Sequence, residues 1–361
     1  MSYSPFRHIG SVFWKRNPIQ LTFFVTKRCN ARCSFCFYNS NTGSADAEDE
    51  LSTGEVRKIS SSMGNLLWLA FSGGEIFLRS DIVELTKIFY ERNRPSIILF
   101  PTNGLLTDVI QGRIQEILEN CRRSTIVVKL SLEGNEEVHD AIRGVRGSFK
   151  KTMQTYEALG RLLDKYPNFE LGINTVFCSL NQDNMDDVIE FVNGLDRIKT
   201  HTISLIRGTA GDKGLKDVDI GKYLEAVDKL ASNLKKGESS VYRFRGARVK
   251  AAQDILQRRL IYETEIKKRQ LIPCYAGKLN LVLTETGDVY PCESFSMKLG
   301  NIRKNGYDMK KVLQTEHAQK IITSINAEKC FCTHECYLMT NILFNARMYP
   351  GLAKEYLQLC K

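Results

Sequence analysis

Three thiols within eight residues, Cys29, Cys33 and Cys36 in CNARCSFC, form the densest grouping of metal-binding chemistry in the chain. Thiolates spaced C-x3-C-x2-C can converge on one metal centre. Three are one short of the four that a structural zinc or a fully ligated cubane takes. A centre with three protein ligands keeps a position open, and a cofactor or substrate can coordinate there. A zinc knuckle or a set of reduced surface thiols is the plainer alternative. A second grouping lies near the other end. Cys274 precedes LNLVLTETGDVYPC, which ends in Cys292, and CFCTHEC supplies Cys330, Cys332 and Cys336. Five cysteines in two sub-clusters across a β-hairpin turning at Thr286-Gly287 read as a second iron–sulfur site or a zinc site. His334 and Glu335 inside that run are either neighbours of the metal or simply loop. Cys121 and Cys178 stand alone in apolar surroundings and read as buried small hydrophobes.

Eleven cysteines are many for 361 residues. Disulfides do not persist in a reducing compartment, so clustered cysteines point to metal. No apolar run reaches bilayer-spanning length, and MSYSPFRHIGSVFWKRNPIQ lacks a signal-peptide core, which gives a cytoplasmic reading. Hydrophobic content of 43% and charged content of 25% are those of a globular chain with a full core. The net charge of +10 is diffuse. KKRQ at 267–270 and the series Arg243, Arg245, Arg248 and Lys250 can meet phosphates, an acidic redox protein or an anionic lipid, or form a solvated helix face. No nucleic-acid motif is present, and basic charge alone does not make one.

The elements that must position the cysteines alternate. Residues 1–18 are a lead-in with Phe6, Phe13, Trp14 and Arg16, for which an amphipathic contact with a membrane surface stays open. QLTFFVT (20–26) reads as a buried strand, and further strands are expected at 67–71, 97–101, 125–132, 170–176 and 200–206. Ser52-x-x-Glu55 is a capping box opening a helix to about Met63, after a polar stretch at 39–50. Helical patterns follow at 81–93, 108–120, 148–165 and 184–194. Such alternation implies βα units on a parallel sheet, and six units are too few for the closed eight-unit barrel. The fold class is therefore α/β, a partial (β/α)6 barrel.

In such folds the active site gathers at the C-terminal strand ends, and the remaining motifs fall there. Ser72-Gly73-Gly74-Glu75 follows the second strand; paired glycines admit close backbone approach, and a carboxylate can receive a ligand ammonium. Thr102-Asn103-Gly104 follows the third strand, and Ser131-Leu132-Glu133-Gly134 ends the fourth. Arg143 in HDAIRGVRGSF is placed to clamp a carboxylate, Asn174 sits late in the fifth strand and Arg207-Gly208 follows the sixth. Arg207, Asp212 and Lys213 could touch substrate or be solvated loop charges.

C-x3-C-x2-C after the first strand, GGE after the second and SLEG…HDAIRG after the fourth resemble the radical S-adenosylmethionine (SAM) superfamily over roughly residues 19–208. The resemblance implies that Cys29, Cys33 and Cys36 hold a [4Fe–4S] cluster whose fourth iron binds SAM. Reductive cleavage would then give a 5′-deoxyadenosyl radical that takes hydrogen from substrate. It also implies that Phe35 packs near adenine, that Gly73, Gly74 and Glu75 receive the methionyl amino group, and that Asn103, Ser131, Glu133 and Arg143 contribute to SAM binding. A flavodoxin- or ferredoxin-type reductant is implied as partner.

C-x12-G-x4-C from Cys274 resembles the auxiliary-cluster extensions of this superfamily, called SPASM with two extra clusters and twitch with one. The two-cluster pattern C-x2-C-x5-C-x3-C is here reduced to C-x-C-x3-C, with only Cys360 downstream. One auxiliary [4Fe–4S] cluster is therefore expected, on Cys274, Cys292, Cys336 and one of Cys330 or Cys332, with zinc as the alternative. The division is a lead-in at 1–18, a barrel at 19–208, a helical bridge at 209–273 and a small α+β auxiliary-cluster domain at 274–361. Hydrogen abstraction from a small metabolite (a sugar, nucleotide-sugar or lipid) is the leading function. Peptide modification is the alternative, disfavoured because the first strand is reached by residue 19 with no peptide-recognition domain before it. An iron–sulfur scaffold has no need of the SAM motifs.

Overall fold

Short apolar runs punctuated by turns form six parallel strands: β1 (Gln20–Thr26), β2 (Trp68–Gly73), β3 (Ile97–Thr102), β4 (Thr125–Ser131), β5 (Phe169–Phe177) and β6 (Thr200–Leu205). They lie side by side in chain order. The connecting helices are α1 (Thr53–Ser62), α2 (Ile82–Asn93), α3 (Thr107–Asn120), α4 (Glu136–Arg143), α5 (Ser148–Gly160) and α6 (Met185–Asn193). The expected capping box at Ser52 and Glu55 opens α1. The coordinates are a computed structural model describing residues 2–38, 49–198, 200–208, 213–239 and 242–359. Most of the polar stretch after the cysteine loop, Asp212 and Cys360 lie outside the described residues.

Side chains alternate across each strand. Leu21, Phe23 and Val25 of β1, with Phe71, Phe100, Val128 and Leu171, face the helices in one continuous apolar core. Gln20, Thr22, Phe24, Ala70, Leu99, Val127, Asn174 and Thr202 face the other way and line a single cavity. Strands that share one interior must curl, so the sheet is an open barrel with a lumen.

Two elements differ from the expectation. Helix α4 occupies the HDAIR segment, and α5 ends at Gly160, after which Leu162–Tyr166 continue as turns into Pro167. The larger difference lies beyond residue 208. Helices α7 (Ile220–Lys236) and α8 (Ala247–Lys267) lead into β7 (Asn280–Leu283), β8 (Asp288–Tyr290) and β9 (Gly300–Asn301). The hairpin turn at Gly287 is as expected, but β7 also pairs in parallel with β1, so the sheet runs on as β6-β5-β4-β3-β2-β1-β7-β8-β9. Every residue of β1 is buried, and a buried strand needs hydrogen-bonded neighbours on both edges. The chain ends in α9 (Met309–Gln314), α10 (Glu316–Ala327), α11 (Glu335–Leu343) and α12 (Tyr349–Gln358).

The gap between β6 and β1 is bridged by helices. Arg258 of α8 donates to the His201 carbonyl of β6 at 3.1 Å. Ser204 of β6 donates to Glu335 of α11 at 2.6 Å, and Gln20 of β1 donates to the Cys336 carbonyl at 3.2 Å. These contacts close the side of the lumen between β6 and β1. In the lead-in, Phe13 and Trp14 stay 75% and 66% exposed. Among the described residues no helix is long and apolar enough to cross a membrane.

Candidate active site at the barrel mouth

The cysteine loop is docked against its neighbours on two sides. Gly74 N–H donates to the Thr26 carbonyl at 2.7 Å and Glu75 N–H to the Arg28 carbonyl at 2.9 Å. A Cβ at Gly74 would lie 2.1 Å from the Arg28 oxygen, and Gly73, at φ +128°, would place one 2.2 Å from the Thr26 oxygen. The paired glycines thus let two backbones touch. On its other side, Arg32 and Ser34 donate to the carbonyls of Arg143 and Ile142 at 2.9 and 3.1 Å, and Gly144, at φ +64°, turns the chain away beneath Arg32.

The three thiols are half-buried and within electrostatic reach of one another. Burial pushes Cys29 up to about 11 and also raises Cys33, so thiolates here need positive charge to form. N–H groups already point at the sulfurs: Ala31 N to Cys29 Sγ at 3.4 Å, Asn103 Nδ2 to Cys29 Sγ at 3.8 Å and Arg143 Nη1 to Cys33 Sγ at 3.4 Å. Donors around thiols are the surroundings that orient and tune metal-bound thiolates, so this donor set fits an iron–sulfur cluster.

The other expected residues divide. Phe35, Gly73, Ser131 and Arg143 line the cavity, which has a volume of about 340 Å³, and Cys36 opens into it beside Asn174. Arg143 lies over the Phe35 ring at 5.4 Å and is ion-paired with Glu133, whose other oxygen accepts Val176 N–H at 2.7 Å. Among the described residues the buried Arg143 Nε has no hydrogen-bond partner. Glu133 is fully buried, held between Arg143 and the Val176 N–H. Glu75 is likewise sealed: its carboxylate accepts from Phe77 N–H, Thr102 Oγ1 and Asn103 N–H at 3.2, 2.9 and 2.9 Å, and burial raises its pKa. It ties the end of β2 to the end of β3, and lining the cavity falls to Ser72 and Gly73. Asn103 sits behind the cluster loop, held by Asn30 Oδ1 at 2.7 Å.

Several lining groups were not singled out as site residues from sequence. Lys129, Tyr242, Asp254 and Gln257 share the lumen. A lysine inside the apolar run IVVKLS of a buried strand was the available signal. Lys250, in the basic series, turns inward to pair with Asp254, and Arg207 pairs with Glu293 at 2.5 Å. Lys213 is exposed.

Below the lumen's far wall, Cys274, Cys292, Cys330 and Cys332 line a second cavity of about 130 Å³ together with His334. Asn326 of α10 clamps Cys274 in both directions, accepting its N–H at 2.9 Å and donating to its carbonyl at 2.8 Å. Burial pushes Cys274 to about 11 and Cys332 to about 12. Cys336 is turned to the main lumen, where its charged surroundings are Glu293, Arg207 and Glu335. Cys330 and Cys332 thus share a cavity with Cys274 and Cys292, while Cys336 lines the main lumen and packs with Cys274 and Cys292 against one apolar cluster. Cys121 and Cys178 are buried in apolar clusters, the second of which takes in Phe35 of the cysteine loop.

Known proteins resemble this chain in sequence and in fold. The Radical SAM superfamily signature matches residues 23–193, and the SPASM iron–sulfur cluster-binding domain matches residues 274–337. The chain is 25% identical over 300 residues to an AdoMet-dependent heme synthase of Methanosarcina barkeri, covering 80% of this chain and 81% of that one. It is also 25% identical over 298 residues to the antilisterial bacteriocin subtilosin biosynthesis protein AlbA of Bacillus subtilis, covering 81% of this chain and 59% of that one. Among solved structures it shares its fold with native anSMEcpe with bound AdoMet, at a TM-score of 0.62 and 19% identity over 95% of this chain and 97% of that one. The chain belongs to the radical SAM superfamily: it is a radical SAM enzyme with a C-terminal SPASM domain, and its cofactors are SAM with a [4Fe–4S] cluster and the iron–sulfur chemistry of that domain.

Proposed function

We propose that this enzyme abstracts hydrogen from a small metabolite held inside the barrel, with one auxiliary [4Fe–4S] cluster in the SPASM domain. The observation that carries the reading is the closure of the lumen by α8 and α11, which leaves a cavity of about 340 Å³ with polar groups buried deep inside it. A concave lumen with a few polar contacts suits a compact ligand, and its depth limits the water that would quench a reactive intermediate. Bound SAM on its reduced cluster supplies hydrogen-atom abstraction. Cys29, Cys33 and Cys36 would hold that cluster, with Arg143 and Asn103 donating to its sulfurs. The Ser72–Gly73 backbone, Ser131, Asn174 and Arg143 would orient SAM beside Phe35. Cys274 and Cys292, with Cys330 and Cys332 favoured over Cys336, would hold the auxiliary cluster. Arg207 and Glu293 span from β6 to the loop after Cys292 and fix its distance from the lumen. A flavodoxin- or ferredoxin-type reductant and a reducing, cytoplasmic setting suit such clusters.

A peptide substrate is the second reading, favoured by similarity to AlbA and to the sporulation killing factor maturation protein SkfB of Bacillus subtilis. The test is anaerobic turnover of the reconstituted enzyme with SAM and dithionite, offering dialysable metabolites and retained peptides from source cells grown on deuterated medium separately. Deuterium transfer into 5′-deoxyadenosine from the dialysable fraction is the expected result. Transfer from the peptide fraction alone would overturn the metabolite reading.

A further inference from the structure

Deep in the lumen, Lys129 of β4 reaches sideways across β5 to β6. Its Nζ donates to Thr200 Oγ1 at 2.5 Å and lies 3.3 Å from Thr202 Oγ1. It can do so because the intervening residue is Gly172, paired with Lys129 on one side and Thr200 on the other. A Cβ there would lie 2.6 Å from Nζ and 2.5 Å from Thr200 Oγ1. The ammonium is only 9% exposed, yet among the described residues only neutral oxygens hold it.

A second ammonium faces it. Lys250 of α8 lies 5.4 Å from the Tyr242 ring centre, and Lys129 lies 5.9 Å from the same ring. Asp254 pairs with Lys250 and accepts from Tyr242 Oη at 3.0 Å, so it is already committed. Arg258 of α8 is 5% exposed; one of its amino groups donates to the His201 carbonyl, and among the described residues Nη1 has no hydrogen-bond partner. The charges that act most on Lys129 are Asp254 and Glu170 on one side and Lys250 and Arg258 on the other. Glu335, across the lumen on α11, is pushed toward its neutral form by burial. A buried ammonium held by neutral oxygens alone is costly unless something neutralises it.

We propose that the lumen floor between Lys129 and Lys250 is an oxyanion subsite that grips a carboxylate or phosphate group of the substrate. Its anionic end would point down into the barrel and its reacting carbon up toward SAM at the mouth. Burial and the two neighbouring cations press Lys129 down to about 7, and a bound anion would reverse that pressure. This deepens the metabolite reading and rests on the lumen being the substrate chamber.

The test is calorimetric titration of the reconstituted, SAM-loaded holoenzyme with inorganic phosphate and, separately, with acetate. SAM occupies its own carboxylate site, so the floor is what remains to be filled. Saturable one-site binding of at least one probe is expected, weakened on the order of tenfold or more in Lys129→Met and in Lys250→Met, where one of two close charges is lost. It should be unchanged in Lys310→Met, an exposed control. Iron content and SAM binding report whether each variant is folded, and two independent variants keep the test open if one is not. Binding of only one probe assigns the subsite to phosphate or to carboxylate. No saturable binding of either, or binding unaffected in both lumen variants, overturns the subsite. Because the readout needs no turnover, it is separate from the choice between metabolite and peptide.

Discussion

Replacing Gly74 by alanine adds one methyl group and isolates a single steric contact, since Gly74, unlike Gly73, has no positive φ to strain. The new Cβ would sit 2.1 Å from the Arg28 oxygen, 2.6 Å from its carbonyl carbon and 2.7 Å from the Lys27 oxygen. These are backbone atoms, so relief requires the cysteine loop to withdraw by roughly 1 Å or more to reach ordinary contact. Withdrawal stretches the Gly74–Thr26 and Glu75–Arg28 hydrogen bonds, each worth about 0.5–1.5 kcal/mol. Overpacking adds about 1–3 kcal/mol, for a total of roughly 2–6 kcal/mol. Cys29 is the residue after Arg28, so the displacement reaches the first cluster thiol directly, and misplacement on the order of 1 Å costs about a hundredfold in positioning-dependent rate. The assay is iron content, thermal stability and EPR of the reduced protein with and without SAM. The expected outcome is loss of the SAM-induced spectral change and a lower melting temperature, with the auxiliary signal retained. Gly64→Ala, where nothing lies within 4 Å of the added carbon, is the matched control. A Gly74→Ala protein with full iron, an unchanged melting temperature and an intact SAM-induced change would refute the docking argument.

Three further outcomes are expected. Iron should fall from about eight to about four per chain in Cys29/Cys33/Cys36→Ala and likewise in Cys330→Ala or Cys332→Ala, while Cys336→Ala keeps about eight; loss of iron in Cys336→Ala with retention in one of the other two would restore Cys336 to the auxiliary set. Cys121→Ala with Cys178→Ala should leave iron content unchanged while lowering stability, because both are buried in apolar clusters; a drop in iron would contradict that role. Acid should destabilise the chain before carboxylates titrate. His139 and His8 are held neutral by burial, next to Arg143 and Arg7 respectively, at about 3 and about 4, and each accepts an N–H, from Glu133 and Arg7. Their folded pKa values lie below the unfolded value, so the unfolded chain binds more protons as pH falls below about 6.5, and stability present above that pH is lost toward about 3. One pH unit into that window costs about 1.4 kcal/mol per histidine, or about 3 kcal/mol for the pair. Urea midpoints at about pH 7.5 and pH 5.5 check this, and no shift with an unchanged m-value would count against it.

How much could be read without the structure depends on the range of the interactions involved. Alternating strands and helices, the Ser52 capping box, the hairpin turn at Gly287 and the three cysteines after β1 are all written in residues close together in sequence. Backbone propensity and hydrophobic period act over a few residues, and ligand spacing in C-x3-C-x2-C is set by one loop. Those features sufficed for the parallel α/β core, the SAM cluster and the superfamily. What the tertiary structure decided were contacts between distant segments. β7 completes the free edge of β1 from more than 250 residues away. α8 and α11 close the barrel gap that six strands alone leave open. Glu75 looked available in sequence, yet the ends of β2 and β3 converge on it and seal it. Lys250 looked solvated in a basic run, but helix packing turns it into the lumen, where Lys129 reaches over a glycine on the next strand. Which of Cys330, Cys332 and Cys336 meet Cys274 depends on how the turn after α10 enters α11, a matter of side-chain direction that spacing does not set. Local chemistry names the cofactor because the cofactor is held by a loop; the lumen belongs to the packing, because its walls come from all six strands β1 to β6 and from the helices beside them.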